Sequence, residues 1–200
     1  MKITHKPLPY QDLLDNRSPN QITLLVIHCT ELPDLTMARE YGSRILYPSG
    51  TGNSGHYYID IDGTTECWVT PEFVAHHVAN HNSNSIGIEL VNKGRYPDWF
   101  DSKKQTPTTP YPKVQIKALN DLVNHLSNNF TQLKYIVGHE DLDQRTVEAS
   151  DDNTKSVQRK IDPGPIFPWS QVMQSTTLIN IGSNAKHQKD ASHQTTDNNN

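Results

Sequence analysis

The alternation of apolar and polar positions divides most of the chain into strands and helices. Residues 22–29, I-T-L-L-V-I-H-C, form a nearly continuous apolar run with β-branched side chains, which is typical of a buried central strand. Residues 85–92, S-I-G-I-E-L-V-N, and residues 133–138 predict two further strands. The spacing of apolar residues predicts a helix over 113–130, whose buried stripe consists of Ile116, Leu119, Val123, Leu126 and Phe130.

Weaker patterns complete the predicted fold. Asp34 can cap a helix whose apolar face would consist of Leu35, Ala38, Gly42 and Ile45. The pair Asp62-Gly63 lies between two alternating runs and predicts a β-hairpin, and Pro71 suits the start of a short helix. Residues 93–112 and 140–159 are polar and predict loops. Because strands and helices alternate, we expect an α/β fold with a single mixed β-sheet flanked by helices.

The end of the chain has a different composition. Residues 182–200 contain no apolar side chain larger than alanine, and such a segment cannot offset its ordering entropy. We therefore expect a folded domain over residues 1–181 and a disordered polar tail over 182–200. His187 and His193 lie in this tail, where chance composition is a better explanation than a metal site.

Charge and cysteine content narrow the classes of partner. The formal net charge is −4, so no basic surplus indicates binding to nucleic acid or to an anionic membrane. No apolar run reaches the roughly 20 residues that cross a bilayer. We expect a monomer. Because no apolar signal-peptide core is present and Cys29 and Cys67 suit core packing, we expect a cytoplasmic location, with the periplasm or signal-free export as the alternative.

Candidate chemistry lies at the ends of three apolar segments. His28 ends the first predicted strand, His139 follows the strand over 133–138, and Asp162 enters the turn K-I-D-P-G-P. Two imidazoles and a carboxylate are a common ligand set for a catalytic zinc, with a fourth position left for water. A single histidine at a strand end is more often structural, so the prediction depends on the co-occurrence of all three.

Other polar residues allow two interpretations each. Glu89 lies inside an apolar strand, where it either meets a cation or acts as a base with a raised pKa. Lys160 lies two residues before Asp162 and would share its face in an extended segment, so it either stabilises an oxyanion or is a surface lysine. Four histidines cluster around the hairpin and either line a ligand groove or are solvated: His56, His76, His77 and His81.

The order of these segments resembles a known family. The segments are V-I-H-C-T, H-Y-Y-I-D-I-D-G, A-H-H-V-A, S-I-G-I-E-L, V-G-H-E-D and K-I-D-P-G-P, and together they resemble the zinc-dependent N-acetylmuramoyl-L-alanine amidases of the amidase-2 type. The AmpD-like branch is the most similar, and phage-lysozyme amidases and peptidoglycan recognition proteins share its fold. The resemblance covers residues 22–169.

The resemblance implies a reaction and a set of roles. The reaction is hydrolysis of the amide bond between the lactyl group of N-acetylmuramic acid, or its anhydro form, and L-alanine of peptidoglycan or a muropeptide. His28, His139 and Asp162 resemble the ligands of one Zn²⁺ per chain, Glu89 the general base, and Lys160 the residue that steadies the oxyanion. His77 matches a histidine of the substrate groove, and His56 is a second candidate for substrate contact.

Two departures and one alternative accompany this resemblance. Residues 145–158 are added between the second histidine and the K-I-D-P-G-P turn, next to the expected metal. Gly55 takes the position where the phage branch carries a tyrosine, and Asp162 replaces that branch's cysteine, which supports the AmpD-like side. The alternative function is a non-catalytic peptidoglycan-binding module of the same fold. Such modules usually lack a metal ligand, whereas none is missing here.

Overall fold

The computed structural model describes residues 1–183 of this 200-residue chain, so the predicted tail lies almost entirely outside the described residues. Its helices are α1 (Leu35–Gly42), α2 (Lys113–Asn129), α3 (His139–Leu142) and α4 (Trp169–Met173). Its strands are β1 (Thr4–His5), β2 (Leu24–Cys29), β3 (Tyr57–Ile59), β4 (Thr65–Cys67), β5 (Ser85–Leu90), β6 (Tyr135–Gly138), β7 (Thr146–Glu148), β8 (Ser156–Gln158) and β9 (Ile179–Asn180). Within residues 1–183, no helix is both long and apolar enough to cross a bilayer.

Seven strands form one sheet in the order β1-β4-β3-β5-β2-β6-β9. The pairing of β3 with β4 is antiparallel and the other pairings are parallel, which confirms the predicted mixed sheet. Strand β2 lies between β5 and β6, and all six of its residues are buried. This burial on both faces explains why its sequence is almost continuously apolar.

Alternation along β2 separates the two faces of the sheet. Leu25 and Ile27 belong to the main core, which includes the buried stripe of α2 and residues of α4. Leu24 and Val26 pack on the opposite face in a smaller cluster with Val78 and Val137. Because side chains alternate along a strand, His28 lies on the face of Leu24 and Val26, away from α2.

Several local predictions hold. Asp34 caps α1, since its Oδ1 accepts a hydrogen bond from the Met37 amide at 2.7 Å. The antiparallel β3–β4 hairpin turns at Gly63, whose φ of +85° is a conformation that glycine adopts readily. Residues 93–112 contain no helix or strand.

Three local predictions are wrong. Helix α1 ends at Gly42, and Ile45 is 57% exposed rather than part of an apolar face. Pro71 begins no helix, because the chain makes only a turn there, with the Phe73 amide donating to the Thr70 carbonyl. Residues 140–159 are not a plain loop: they contain most of α3 and an antiparallel pair, β7–β8, in which Val147 lies opposite Val157.

Candidate metal centre and groove

Parallel strand pairing brings the candidate residues to one edge of the sheet. In the β2–β5 register, His28 lies directly opposite Glu89. His139 is the first residue of α3 and follows β6, the other neighbour of β2. The carboxyl ends of parallel strands meet at one edge of a sheet, which is where ligands commonly bind in α/β folds.

Three of these side chains form a compact buried cluster. His28 Nδ1 lies 3.0 Å from His139 Nδ1 and 3.1 Å from Asp162 Oδ2, and the latter two atoms are also 3.1 Å apart. All three residues are at most 3% exposed. Ligands at about 2.0–2.1 Å from one Zn²⁺ would lie about 3.3 Å apart in a tetrahedral arrangement, so the spacing fits a shared ion.

The protonation states of His28 and Asp162 are those of metal ligands. Burial and the neighbouring His139 lower the pKa of His28 to about 4, so its ring is neutral at pH 7. Burial favours protonation of Asp162, but the charges of His139 and Lys160 and a hydrogen bond from the His139 imidazole hold its pKa well below the usual range. Asp162 Oδ1 is buried and has no hydrogen-bond partner among the described residues. The donor set therefore fits a catalytic zinc.

Glu89 lies beside this cluster, with Oε1 3.9 Å from His28 Nδ1. Burial, reinforced by the charge of Asp162, raises the pKa of Glu89 to about 8. Gly55 makes the space for this side chain, because a Cβ at position 55 would lie 2.8 Å from Glu89 Cγ. A tyrosine at position 55 would therefore displace Glu89. A carboxyl group that titrates near neutral pH can both accept and return a proton.

A groove of about 720 Å³ opens above the cluster. Lys160 is half-buried and faces the same groove as Asp162. Arg145 and Arg159 line the wall next to it and share the carboxylate of Asp143, which Arg145 Nε contacts at 2.7 Å. The groove is also lined by Arg44, Leu46, Tyr47 and Asn53.

The two histidines predicted to touch substrate occupy different places. His77 is half-buried and lines the groove, with Nδ1 3.0 Å from His28 Nε2. His56 is fully buried and lies beneath the groove, where its Nδ1 accepts a hydrogen bond from the Gly87 amide. Its Nε2 lies 2.8 Å from Arg17 Nη2 and 3.1 Å from the Phe73 carbonyl, so both ring nitrogens are engaged by the protein interior. The expectation that His56 contacts substrate is therefore corrected, because no part of its ring is exposed.

The structure also reveals a buried ion pair that the sequence does not indicate. Arg95 is 4% exposed, and its Nε and Nη2 donate to the two oxygens of Glu31 at 2.7 and 2.8 Å. The remaining donors reach Gln105 Oε1 and the carbonyls of Gln158 and Arg159, so all five are used. Arg95 thus ties the segment after His28 to the segment before Lys160. Two charged residues 64 positions apart in polar segments carry no pattern that predicts their pairing.

The segment over 93–112 does not line the groove. It packs behind the turn that carries Asp162, where Tyr111 donates to the Pro163 carbonyl at 2.6 Å. Cys29 and Cys67 are buried and unpaired, in keeping with core positions.

Comparison with known proteins places this site in a family. Residues 18–165 match the amidase-2 family of N-acetylmuramoyl-L-alanine amidases. The chain belongs to this family. The match covers every strand and helix that carries a candidate ligand, and the family resemblance inferred from the sequence is confirmed.

Individual members of the family agree with this assignment. The curated Escherichia coli K12 protein N-acetylmuramoyl-L-alanine amidase AmiD is 28% identical over 170 residues, which are 77% of this chain and 53% of AmiD. The chain thus spans about half the length of this relative. A solved complex of E. coli AmiD with anhydro-N-acetylmuramic acid-L-Ala-D-γ-Glu-L-Lys superposes with a TM-score of 0.58 at 25% identity, covering 78% of this chain and 57% of that one.

The fold extends to more distant structures. The Drosophila peptidoglycan recognition protein PGRP-LB superposes with a TM-score of 0.56 at 16% identity, over 90% of this chain and 99% of that one. At this identity the similarity concerns the fold alone, and it confirms the predicted fold class.

Proposed function

We propose that this protein is a zinc-dependent amidase that cleaves the bond between N-acetylmuramic acid, or anhydro-N-acetylmuramic acid, and L-alanine. One Zn²⁺ per chain would be held by His28, His139 and Asp162. The observation that carries the proposal is their convergence within 3.0–3.1 Å, beside Glu89 and at the floor of an open groove, in a chain of the amidase family. A binding module needs none of this arrangement, so hydrolysis is the better-supported function.

The chain's own residues supply the rest of the chemistry. Bound zinc would contribute Lewis acidity, which makes water a better nucleophile and polarises a carbonyl. Glu89 takes a proton from the attacking water and delivers it to the leaving nitrogen of L-alanine. The amide C–N bond breaks, the lactyl group becomes a carboxylate, and the peptide leaves with a free amino group. Lys160 faces the groove and offsets the negative charge that develops on the carbonyl oxygen.

The charge of the groove suits a muropeptide. The ligand of E. coli AmiD is an anhydromuramyl peptide with free carboxylates. Here Arg145 and Arg159 line the wall on the Lys160 side, and a single Asp143 lies between them. This wall therefore keeps a net positive charge that attracts an anionic stem peptide.

The decisive experiment pairs a metal assay with product analysis. We expect one zinc per purified chain, and chelator-sensitive release of free peptide from a defined anhydromuropeptide detected by mass spectrometry. Glu89→Gln should retain zinc and lose at least 100-fold in kcat, about the contribution of a general base. Glu148→Gln, on the exposed β7 strand, is the matched control and should cleave normally. Binding of the muropeptide without cleavage by the zinc-loaded protein would favour the binding module instead.

A further inference from the structure

His77 connects the metal ligand His28 to a buried hydroxyl. Its Nδ1 lies 3.0 Å from His28 Nε2, and its Nε2 lies 3.2 Å from Ser85 Oγ. Ser85 Oγ in turn lies 2.6 Å from the main-chain carbonyl of His81. These four groups form one continuous chain, here called the imidazole relay: the His81 carbonyl, the Ser85 hydroxyl, His77 and His28.

The direction of every hydrogen bond in this relay follows from its far end. A carbonyl oxygen only accepts, so the Ser85 hydroxyl donates its single proton to His81. Ser85 Oγ must then accept from His77, which places the proton of the neutral His77 ring on Nε2. His77 Nδ1 is left with a lone pair, and it can only accept from the Nε2–H of His28. His28 therefore keeps its lone pair on Nδ1, the atom that faces His139 and Asp162.

The fold holds His77 firmly in this position. Its main-chain amide and that of Val78 both donate to Asn82 Oδ1, at 3.0 and 2.8 Å. The ring lies over Gly87, where a Cβ would be only 2.6 Å from His77 Nδ1. Glycine in the middle of a buried strand is unfavourable for packing, and here it provides the space for a ring. The space over Gly87, the hydrogen bonds to Asn82 and the Ser85 hydroxyl all hold His77 against His28.

We infer that His77 is a positioning residue that fixes the tautomer and orientation of His28 for metal binding, and that Ser85 fixes His77. This inference rests on the proposed zinc site, and it replaces the role of substrate contact that the family resemblance implied for His77. Partners of this kind, which hold the second nitrogen of a metal-ligating imidazole, commonly change metal affinity by about 10–100-fold.

The first test measures zinc affinity of the full chain by competition with a chromophoric chelator. We expect the zinc Kd of His77→Ala to rise about 10–100-fold. His77→Asn places an amide oxygen near the position of Nδ1 and should recover part of the affinity. His81→Ala removes a neighbouring imidazole but keeps the carbonyl of the relay, so its zinc Kd should match the wild type. Unchanged zinc affinity in His77→Ala, with KM for the muropeptide raised instead, would overturn the inference.

The second test does not depend on zinc or on a variant that folds. In zinc-free wild-type protein, the ¹⁵N shifts of the imidazoles should show His28 and His77 both protonated on Nε2. Protonation of His28 on Nδ1 would contradict the relay. A wild-type chain with these tautomers that binds no zinc would overturn the proposed function while leaving the direction of the relay established.

Discussion

The two sides of the candidate metal centre are built from different interactions. On the sheet side, His28 and Glu89 occupy opposed positions of two parallel strands, and apolar packing against α2 holds those strands in place. On the loop side, Lys160 and Asp162 follow β8, and the buried pair of Arg95 with Glu31 fixes the carbonyls just before them. Both sides meet within 3.1 Å, at the contact of His28 with Asp162.

The two sides therefore differ in what they contribute. The sheet side contributes mainly to the stability of the fold, and the loop side also sets the position of Asp162. The sheet side gains stability from buried apolar area, which is non-directional and tolerant of small changes. The loop side depends on donors and acceptors that must all be present, since an unpaired buried charge is strongly unfavourable. We therefore expect changes on the loop side to alter both stability and the position of Asp162, and changes in the sheet core to alter stability alone.

The largest effect is expected from Arg95→Met. The substitution leaves the carboxylate of Glu31, 6% exposed, without its partner, and the expected loss is about 3–5 kcal/mol in the free energy of unfolding. Zinc affinity should fall as well, because the segment before Asp162 loses its anchor. Urea unfolding and chelator competition measure the two effects.

In the matched double variant Glu31→Leu/Arg95→Met, neither charge of the pair remains buried, and much of the stability should return. A loss below about 1 kcal/mol in the single variant would show that the loop side does not depend on this pair.

A comparable loss without an effect on the site is expected from Leu119→Ala. Leu119 is fully buried on α2, on the face of the sheet opposite the groove. Removing its side chain should lower the free energy of unfolding by about 2–5 kcal/mol. The zinc Kd, measured well below the unfolding temperature, should equal that of the wild type. A marked drop in zinc affinity would contradict the independence of the sheet core from the metal centre.

Gly87→Ala adds a single methyl group to the sheet side where it meets the imidazole relay. The new Cβ would lie 2.6 Å from His77 Nδ1, so the ring must move. Overpacking of this kind costs about 1–3 kcal/mol, and zinc affinity should fall together with stability. The double variant Gly87→Ala/His77→Ala removes the clash and should recover the stability but not the zinc affinity. Wild-type zinc affinity in Gly87→Ala would show that the relay tolerates a displaced His77.

The same contrast explains which features the sequence can predict. The strands β2, β5 and β6 and the helix α2 have strong periodic patterns, which predict these elements and place His28 and His139 at strand ends, whereas the pairing of β2 with β5 is what brings Glu89 opposite His28. The β7–β8 pair escapes prediction because each strand contributes only one inward-facing valine, Val147 or Val157, between polar residues. The prediction for His56 is wrong because sequence proximity to the hairpin does not reveal whether a ring faces the groove or the interior.

Contacts between distant polar residues are beyond prediction for a different reason. Arg95 and Glu31 are ordinary charged residues in polar segments, and only the folded backbone makes them partners. The imidazole relay likewise joins His28, His77 and Ser85 through distances and donor directions, which no spacing along the chain encodes. Periodicity along the chain therefore predicts the main strands and α2, but it does not predict which side chains those elements bring into contact.

The smallest effect is expected from Asp143→Asn, which tests the loop side by pH. Hydrogen bonds and charge from Arg145 and Arg159 hold the pKa of Asp143 below its usual range, against the effect of burial. Because the folded-state pKa is lowered, the stabilisation by the Asp143 carboxylate is complete above the unfolded pKa of about 3.9 and is lost as the pH falls further.

Both arginines are partly exposed, so we expect the free energies of unfolding of wild type and Asp143→Asn to differ by only about 1 kcal/mol at pH 7. Urea unfolding at several pH values should show this difference shrinking as the pH falls from about 4 towards the lowered folded-state pKa, because the unfolded chain binds a proton at Asp143 before the folded protein does. Asp121→Asn, on the exposed face of α2, is the control and should show a smaller difference. A difference that stays constant down to low pH would mean that Asp143 stabilises the wall of the groove by its shape rather than by its charge.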